Sequence, residues 1–256
     1  MLNIGWFSTG RDEAARQLLT AAQDSIESGD IQGCISFVFS NREPGESEEG
    51  DRFFELVHSY GLTLVTLSSH KFKASLHSVE SWRRLFDEEV DKRIRPYAPD
   101  ICMMAGYMLI MSDLLCTTYT MINVHPAPPG GPKGTWQEVM WQLIDSGEEE
   151  AGAMVNLVVP ELDAGPAITY FTFPLRGGEF DPLWRRGDRE ELFRRIREKE
   201  LTGEFPLMVH TLGALSRGDI RIEGGAVLDA QGCEIHGYDL TDRVLRAIET
   251  KESRRP

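Results

Sequence analysis

Cys34–Ser40 reads CISFVFS, an unbroken β-branched and aromatic run. A strand of that kind is buried on both faces, which points to a parallel sheet with helices layered on each side. The flanks agree. Leu2–Phe7 is a short apolar strand, and Ser8-Thr9-Gly10 turns it into a helix over Asp12–Ser28 with Leu18, Leu19, Ala22 and Ile26 on one face. Asn41–Gly50 is a polar loop, Asp51–Gly61 a short helix ended by its glycine, and Leu62–Ser68 a third strand. Glu80–Tyr97 spaces Trp82, Leu85, Phe86, Val90 and Ile94 along one helical stripe. Ile101–Gly106 is a fourth strand, Ser112–Thr117 a short helix and Tyr119–Val124 a fifth strand. Strand–helix alternation with right-handed crossovers predicts an α/β fold: an open, mostly parallel twisted sheet with helices on both faces.

The last third departs from that rhythm. Trp136–Ser146 reads as a helix, and Ala151–Val159 and Ala167–Pro174 as strands joined by PELDAG. Asp188–Glu200 is a charged amphipathic helix and Phe205–Arg217 a more apolar one. Asp219–Asp229 is a hairpin turning at Gly224–Gly225. No repeat or long linker interrupts the chain. The expectation is one domain over residues 1–248, its C-terminal third carrying added strands and helices, followed by a disordered tail over 249–256.

A chain of 256 residues can bury a sizeable core without disulfides or metals. Its four cysteines form no CxxC pair and have no zinc-like spacing with histidine, which suits a reducing cytoplasm. The opening residues do not read as a signal peptide, and no run approaches the roughly 18 apolar residues of a membrane span. A net charge of −14 argues against nucleic acid as partner, since a phosphate backbone requires a basic stripe. A small anionic substrate, which needs only a few local donors, stays open.

The chemistry centres on Ile122–Thr135, INVHPAPPGGPKGT, where seven of the ten residues after His125 are proline or glycine. Asn123 and His125 share one face of a strand end, because side chains at i and i+2 point the same way. An amide can donate to a developing oxyanion, and an imidazole can exchange a proton or donate when charged. Asp163, in the tight loop PELDAG, is a candidate carboxylate to orient the imidazole. The plainer reading is a capping Asn, a structural His and a turn Asp.

YAPDICMMAGYMLIMSDLL, INVHPAPPGGPKG, GEEEAGAMVNLVVPELDAGPAI and EFPLMVHTLGALSRGDIRIEGG resemble, in that order, blocks of the glycinamide ribonucleotide formyltransferase family. The likeness runs from about Ala98 to Gly225 and thins before that. It implies a formyltransferase-type Rossmann-like fold and 10-formyltetrahydrofolate as co-substrate, with no metal. Asn123, His125 and Asp163 match the family's catalytic trio. Attack of an acceptor amine on the formyl carbon creates an oxyanion; Asn123 and protonated His125 would stabilise it, and Asp163 would hold the imidazolium and relay a proton. By the same resemblance the acceptor and its phosphate meet Ser8, Thr9, Gly10, Arg11 and Pro126, with Glu200 receiving the amino group. Met108, Leu109, Ile110, Asn156 and Leu162 face the folate. Residues 1–110 form the amine and phosphate half, and 111–248 the catalytic and folate half. A cytoplasmic monomer or homodimer acting in purine biosynthesis is expected.

Several positions depart from the family pattern. The phosphate turn is STGRDEAA, with Asp12 and Glu13 where an anion would approach. Asn156 stands where the family carries a His, and Glu200 is one residue out of register with Pro206. Lys71, Lys73 or His70 offers a phosphate contact, or else a solvated basic loop. His58, His77, His210 and His236 are isolated and read as structural or surface groups. The alternatives are formyl transfer to another amine, such as that of an amino sugar nucleotide, hydrolysis of formyltetrahydrofolate, and a non-catalytic binding module.

Overall fold

The structure, a computed structural model, describes residues 1–75 and 82–252. His77, the first two residues of the expected Glu80–Tyr97 helix and residues 253–256 of the expected tail lie outside it. The chain clusters into two compact units, Met1–Asn123 with Leu157–Gly165, and Val124–Asn156 with the chain from Pro166 on. The division falls inside a strand, after Asn123. Segment 157–165 joins the first unit, where the amide of Val158 donates to the Met121 carbonyl at 2.8 Å.

In the first unit β1 (Leu2–Phe7), β2 (Gly33–Ser40), β3 (Leu64–Thr66), β4 (Ile101–Met104) and β5 (Met121–His125) run parallel in the order β5-β4-β1-β2-β3. Phe37, Val38 and Phe39 of β2 are all fully buried, as an uninterrupted apolar run requires. Parallel neighbours need crossovers, supplied by α1 (Glu13–Glu27), α2 (Glu48–Ser59), α3 (Ser69–Ala74), α4 (Trp82–Ile94, extended by a 3-10 turn over Arg95–Tyr97) and α5 (Asp113–Thr118). Phe7, Phe37, Phe39, Cys102 and Met104 pack on one face with Phe86, Val90 and Ile94 of α4 and Leu115 of α5. The alternate residues Ile4, Trp6 and Val38 are buried too, as are Leu18, Leu19 and Ala22 of α1 and Phe53, Phe54 and Val57 of α2. The α/β expectation with helices on both faces holds in this unit.

Strand order reverses between β1 and β4, because the chain winds outward to β3 and then returns to the far side of β1. Their carboxyl ends meet there: the Ala105 amide donates to the Phe7 carbonyl at 2.8 Å and the Thr9 amide to the Gly106 carbonyl at 3.2 Å. Such a switch point is where open α/β sheets bind ligands.

The second unit holds α6 (Trp136–Ser146), β6 (Glu150–Leu157), β7 (Ala167–Pro174), α7 (Asp181–Arg186), α8 (Arg189–Arg217), the hairpin β8 (Ile220–Glu223) and β9 (Ala226–Asp229), β10 (Tyr238–Asp239) and α9 (Thr241–Glu252). β6 and β7 are antiparallel, and β10 adds in parallel to β7. The two helices expected over Asp188–Glu200 and Phe205–Arg217 are one 29-residue helix with Pro206 inside it. Proline removes one intrahelical bond, and packing on β7 offsets the loss. Gly203 lets the helix lie so close that an added Cβ would come within 2.1 Å of the Phe171 ring, and Thr211 and Thr169 share a 2.5 Å hydroxyl hydrogen bond. α9 extends to Glu252, so 249–252 are helical and not part of a tail. Among the described residues no helix is long and apolar enough to cross a membrane.

Candidate active site

The turn after β1 is built from polar groups that satisfy one another. Ser8 and Thr9 are buried, and the amides of Ser8, Thr9 and Gly10 donate to the Phe39 carbonyl, the Gly106 carbonyl and Ser8 Oγ at 3.0, 3.2 and 3.2 Å. Gly10 has φ +61, and a Cβ there would lie 2.8 Å from Phe53, so both its conformation and its packing exclude a side chain. Thr9 Oγ1 donates to Asn41 Oδ1 at 2.8 Å and accepts from the Met108 amide at 2.9 Å. Arg11 is exposed. Its Nε donates to Asp12 Oδ2 at 3.3 Å and its Nη1 reaches Met108 Sδ at 3.4 Å. Four expected acceptor-binding residues, Ser8 to Arg11, therefore stand beside Met108, an expected folate contact. Sequence reasoning passed over Asn41; an amide side chain directly after a parallel strand, at its carboxyl end, was the available signal.

Asp12 caps α1, its Oδ1 accepting from the Ala15 amide at 3.1 Å. Nearby cations are engaged as well. Arg16 pairs with Glu49 at 2.5 Å, and Lys71 pairs with Glu43 at 2.8 Å and Glu46 at 3.6 Å. Lys71 holds the Glu43 carboxyl below its ordinary range. Lys73 lies over the Trp82 ring, 5.4 Å from its centroid. Lys71 and Lys73 thus each have a partner within the protein.

Met108–Ile110 form an irregular stretch between β4 and α5, bent at Leu109. Leu109 packs into the core while Met108 and Ile110 are 52% and 48% exposed, a pattern that leaves two large apolar side chains for a ligand. Leu162, at 57%, is exposed in the loop before Asp163. The stretch is anchored from below, the Ser112 amide donating to buried Asp87 Oδ2 at 2.6 Å. Burial pushes the Asp87 carboxyl up.

Asn123 and His125 alternate on β5, with Asn123 half-buried and His125 only 2% exposed. The Pro/Gly stretch folds back beneath the imidazole: the Gly131 amide closes a turn on the Pro128 carbonyl at 2.9 Å, and His125 Nε2 meets the Pro132 carbonyl at 2.9 Å. A carbonyl only accepts, so Nε2 carries a proton and donates, which fixes the ring's orientation. Pro126, the next residue, is half-buried. The Pro132 carbonyl is a contributor that residue-type patterns do not show.

Asp163 has φ +52, one of two non-glycine residues among those described with left-handed backbone. Asp tolerates that region better than most residues, and such conformations concentrate at functional turns. In the second unit, the β6–β7 register shifts between Val155 and Asn156. Bulges of this kind re-aim side chains beside active sites. Asn156 is buried, and its Oδ1 has no hydrogen-bond partner among the described residues, the state of an acceptor that suits a ligand or water donor. Glu200 is fully buried. Its Oε2 accepts from Arg197 Nη1 at 2.8 Å, the same nitrogen reaches Glu204 at 2.8 Å, and Oε1 has no partner among the described residues. Burial first, then the neighbouring Glu204, push the Glu200 carboxyl well above its ordinary value.

Residues 7–176 match the protein family described as formyl transferase. The chain is 28% identical over 224 residues to the phosphoribosylglycinamide formyltransferase of Escherichia coli strain K12, across 86% of this chain and 92% of that one. Glycinamide ribonucleotide transformylase 1 from Symbiobacterium toebii is similar in structure, with a TM-score of 0.67 and 23% identity over 89% of this chain and 93% of that one. A formyltetrahydrofolate deformylase from Pseudomonas syringae pv. tomato is similar too, with a TM-score of 0.63 and 19% identity over 89% of this chain and 65% of that one. At those identities the two structures bear on the fold alone. With well over half of its 256 residues inside the match, the chain belongs to the formyl transferase family.

Proposed function

We propose that the chain transfers the formyl group of 10-formyltetrahydrofolate to the amino group of a small acceptor. Glycinamide ribonucleotide, in purine biosynthesis, is the acceptor the relatives' names point to. The observation that carries the reading is the end of β5, where Asn123 and His125 alternate and the imidazole proton is held by the Pro132 carbonyl. Asn123 donates its amide to the formyl oxygen as negative charge develops there. With Nε2 held by the Pro132 carbonyl, protonated His125 supplies a second donor through Nδ1, each worth about 2.7–4 kcal/mol when preorganised. Asp163 favours the imidazolium by its opposite charge and relays the amine's proton to the folate nitrogen, which departs as its bond to the formyl carbon breaks. The exposed apolar pair Met108 and Ile110, Leu162, and the buried unpartnered Asn156 Oδ1 are the groups that suit a flat, polar-edged folate.

A second reading, formyl transfer to another amine such as that of an amino sugar nucleotide, is favoured by the carboxylates of Asp12 and Glu13 at the β1–α1 turn. Deformylation of 10-formyltetrahydrofolate, followed with and without glycinamide ribonucleotide, separates the possibilities. Release that requires the ribonucleotide supports the first reading, release that requires a different amine the second, and release without any amine supports hydrolysis and overturns both.

A further inference from the structure

A helix that starts at the carboxyl end of a parallel strand offers amides and a positive dipole to an anion. In this chain the position beside the β1/β4 switch point already holds one. Asp12 sits at the N-cap of α1 with Oδ1 on the Ala15 amide and Oδ2 on the Arg11 guanidinium. Glu13 follows in the first turn, accepting from Gln17 at 2.8 Å. The amides of Ser8, Thr9 and Gly10 and the hydroxyl of Thr9 are spent within the protein, and Arg16 and Lys71 are paired with Glu49, Glu43 and Glu46. A dianionic phosphate arriving here would displace or face two carboxylates and find its nearest cation already paired.

Resting on the formyl-transfer reading, we infer that Asp12 is a specificity-determining residue whose carboxylate closes this turn to phosphate, so that the acceptor is an amine recognised without a phosphate monoester at the turn. Glu13 reinforces the exclusion by placing a second negative charge one residue further on. Selection of this kind works by repulsion as much as by contact.

The test compares formyl transfer from 10-formyltetrahydrofolate to glycinamide ribonucleotide and to its dephosphorylated riboside. The expected result is a kcat/KM preference for the ribonucleotide below about tenfold, the factor that separates an incidental from a used charge contact. A preference of about tenfold or more overturns the inference. Asp12→Ser with Glu13→Asn keeps a capping hydroxyl and should gain preference for the ribonucleotide; a variant as indifferent as the wild type shows that Asp12 is not the selector. Should neither acceptor take the formyl group, the formyl-transfer reading fails for them, and the turn is judged separately. Inorganic phosphate titrated into the wild-type protein, read by the amide resonances of Arg11–Ala14, should move none of them saturably, and a saturable shift overturns the inference.

Discussion

The Met108 amide donates to Thr9 Oγ1 at 2.9 Å while that hydroxyl donates to Asn41 Oδ1 at 2.8 Å. One buried hydroxyl thereby ties together the ends of β1, β2 and β4 at the point where the strand order reverses. Thr9→Val keeps the shape and leaves a part-buried amide and a buried carbonyl oxygen without their partner. Such losses cost about 1–3 kcal/mol. Urea unfolding should show that destabilisation, with Thr9→Ser recovering most of it; an unchanged midpoint in Thr9→Val would mean that the bonds contribute nothing.

Glu200 makes stability depend on pH in a definite direction. Its carboxyl lies well above the ordinary value of 4.5 in the folded chain, through burial and then Glu204. The folded state holds the proton after the unfolded state has released it, so this group's contribution is complete below the unfolded value and is lost as pH rises toward the folded value. Glu200→Gln removes the titration and leaves Arg197 paired with Glu204. Measured by urea unfolding across that range, the variant should gain stability relative to the wild type as pH rises. A difference that is flat with pH contradicts the assignment.

Asp163 allows the charge to be removed with little change to the turn. Asn tolerates left-handed backbone as well as Asp does, so Asp163→Asn keeps the loop and deletes the carboxylate. Proton transfer by a positioned group is worth about 10²–10⁴ in rate. Turnover should fall within that range while thermal stability stays close to the wild type. An active Asp163→Asn would assign Asp163 to the turn alone.

Much of the fold was legible because its signals are local. CISFVFS declares a strand covered on both faces, and the helix expected over Trp136–Ser146 has those bounds in the structure, with Thr135 capping its start and Gly147 its end. What escaped depends on contacts distant in sequence. Pro206 reads as a break, and only the approach of Gly203 to Phe171 shows why α8 continues through it. The short helices α3 and α7 and the two-residue strand β10 lack the length for a periodic signal, whereas the amphipathic α9 carried one that the reading passed over. Of the proposed site, Asn123 and His125 stand out in the sequence by their i, i+2 spacing and Asp163 by its tight loop. The Pro132 carbonyl does not, because a backbone acceptor leaves no residue-type signature. Asn41 was hidden for a related reason, since its role depends on β2 lying beside β1.

In the proposed mechanism the end of β5 stabilises the charge that develops on the formyl oxygen. Its most direct test is the single-turnover rate of formyl transfer from 10-formyltetrahydrofolate by Asn123→Ala, in protein shown by circular dichroism and unfolding to be native. The expected rate is lower by about 10²–10³ with binding of the folate retained. A folded Asn123→Ala that transfers the formyl group at the wild-type rate would contradict it.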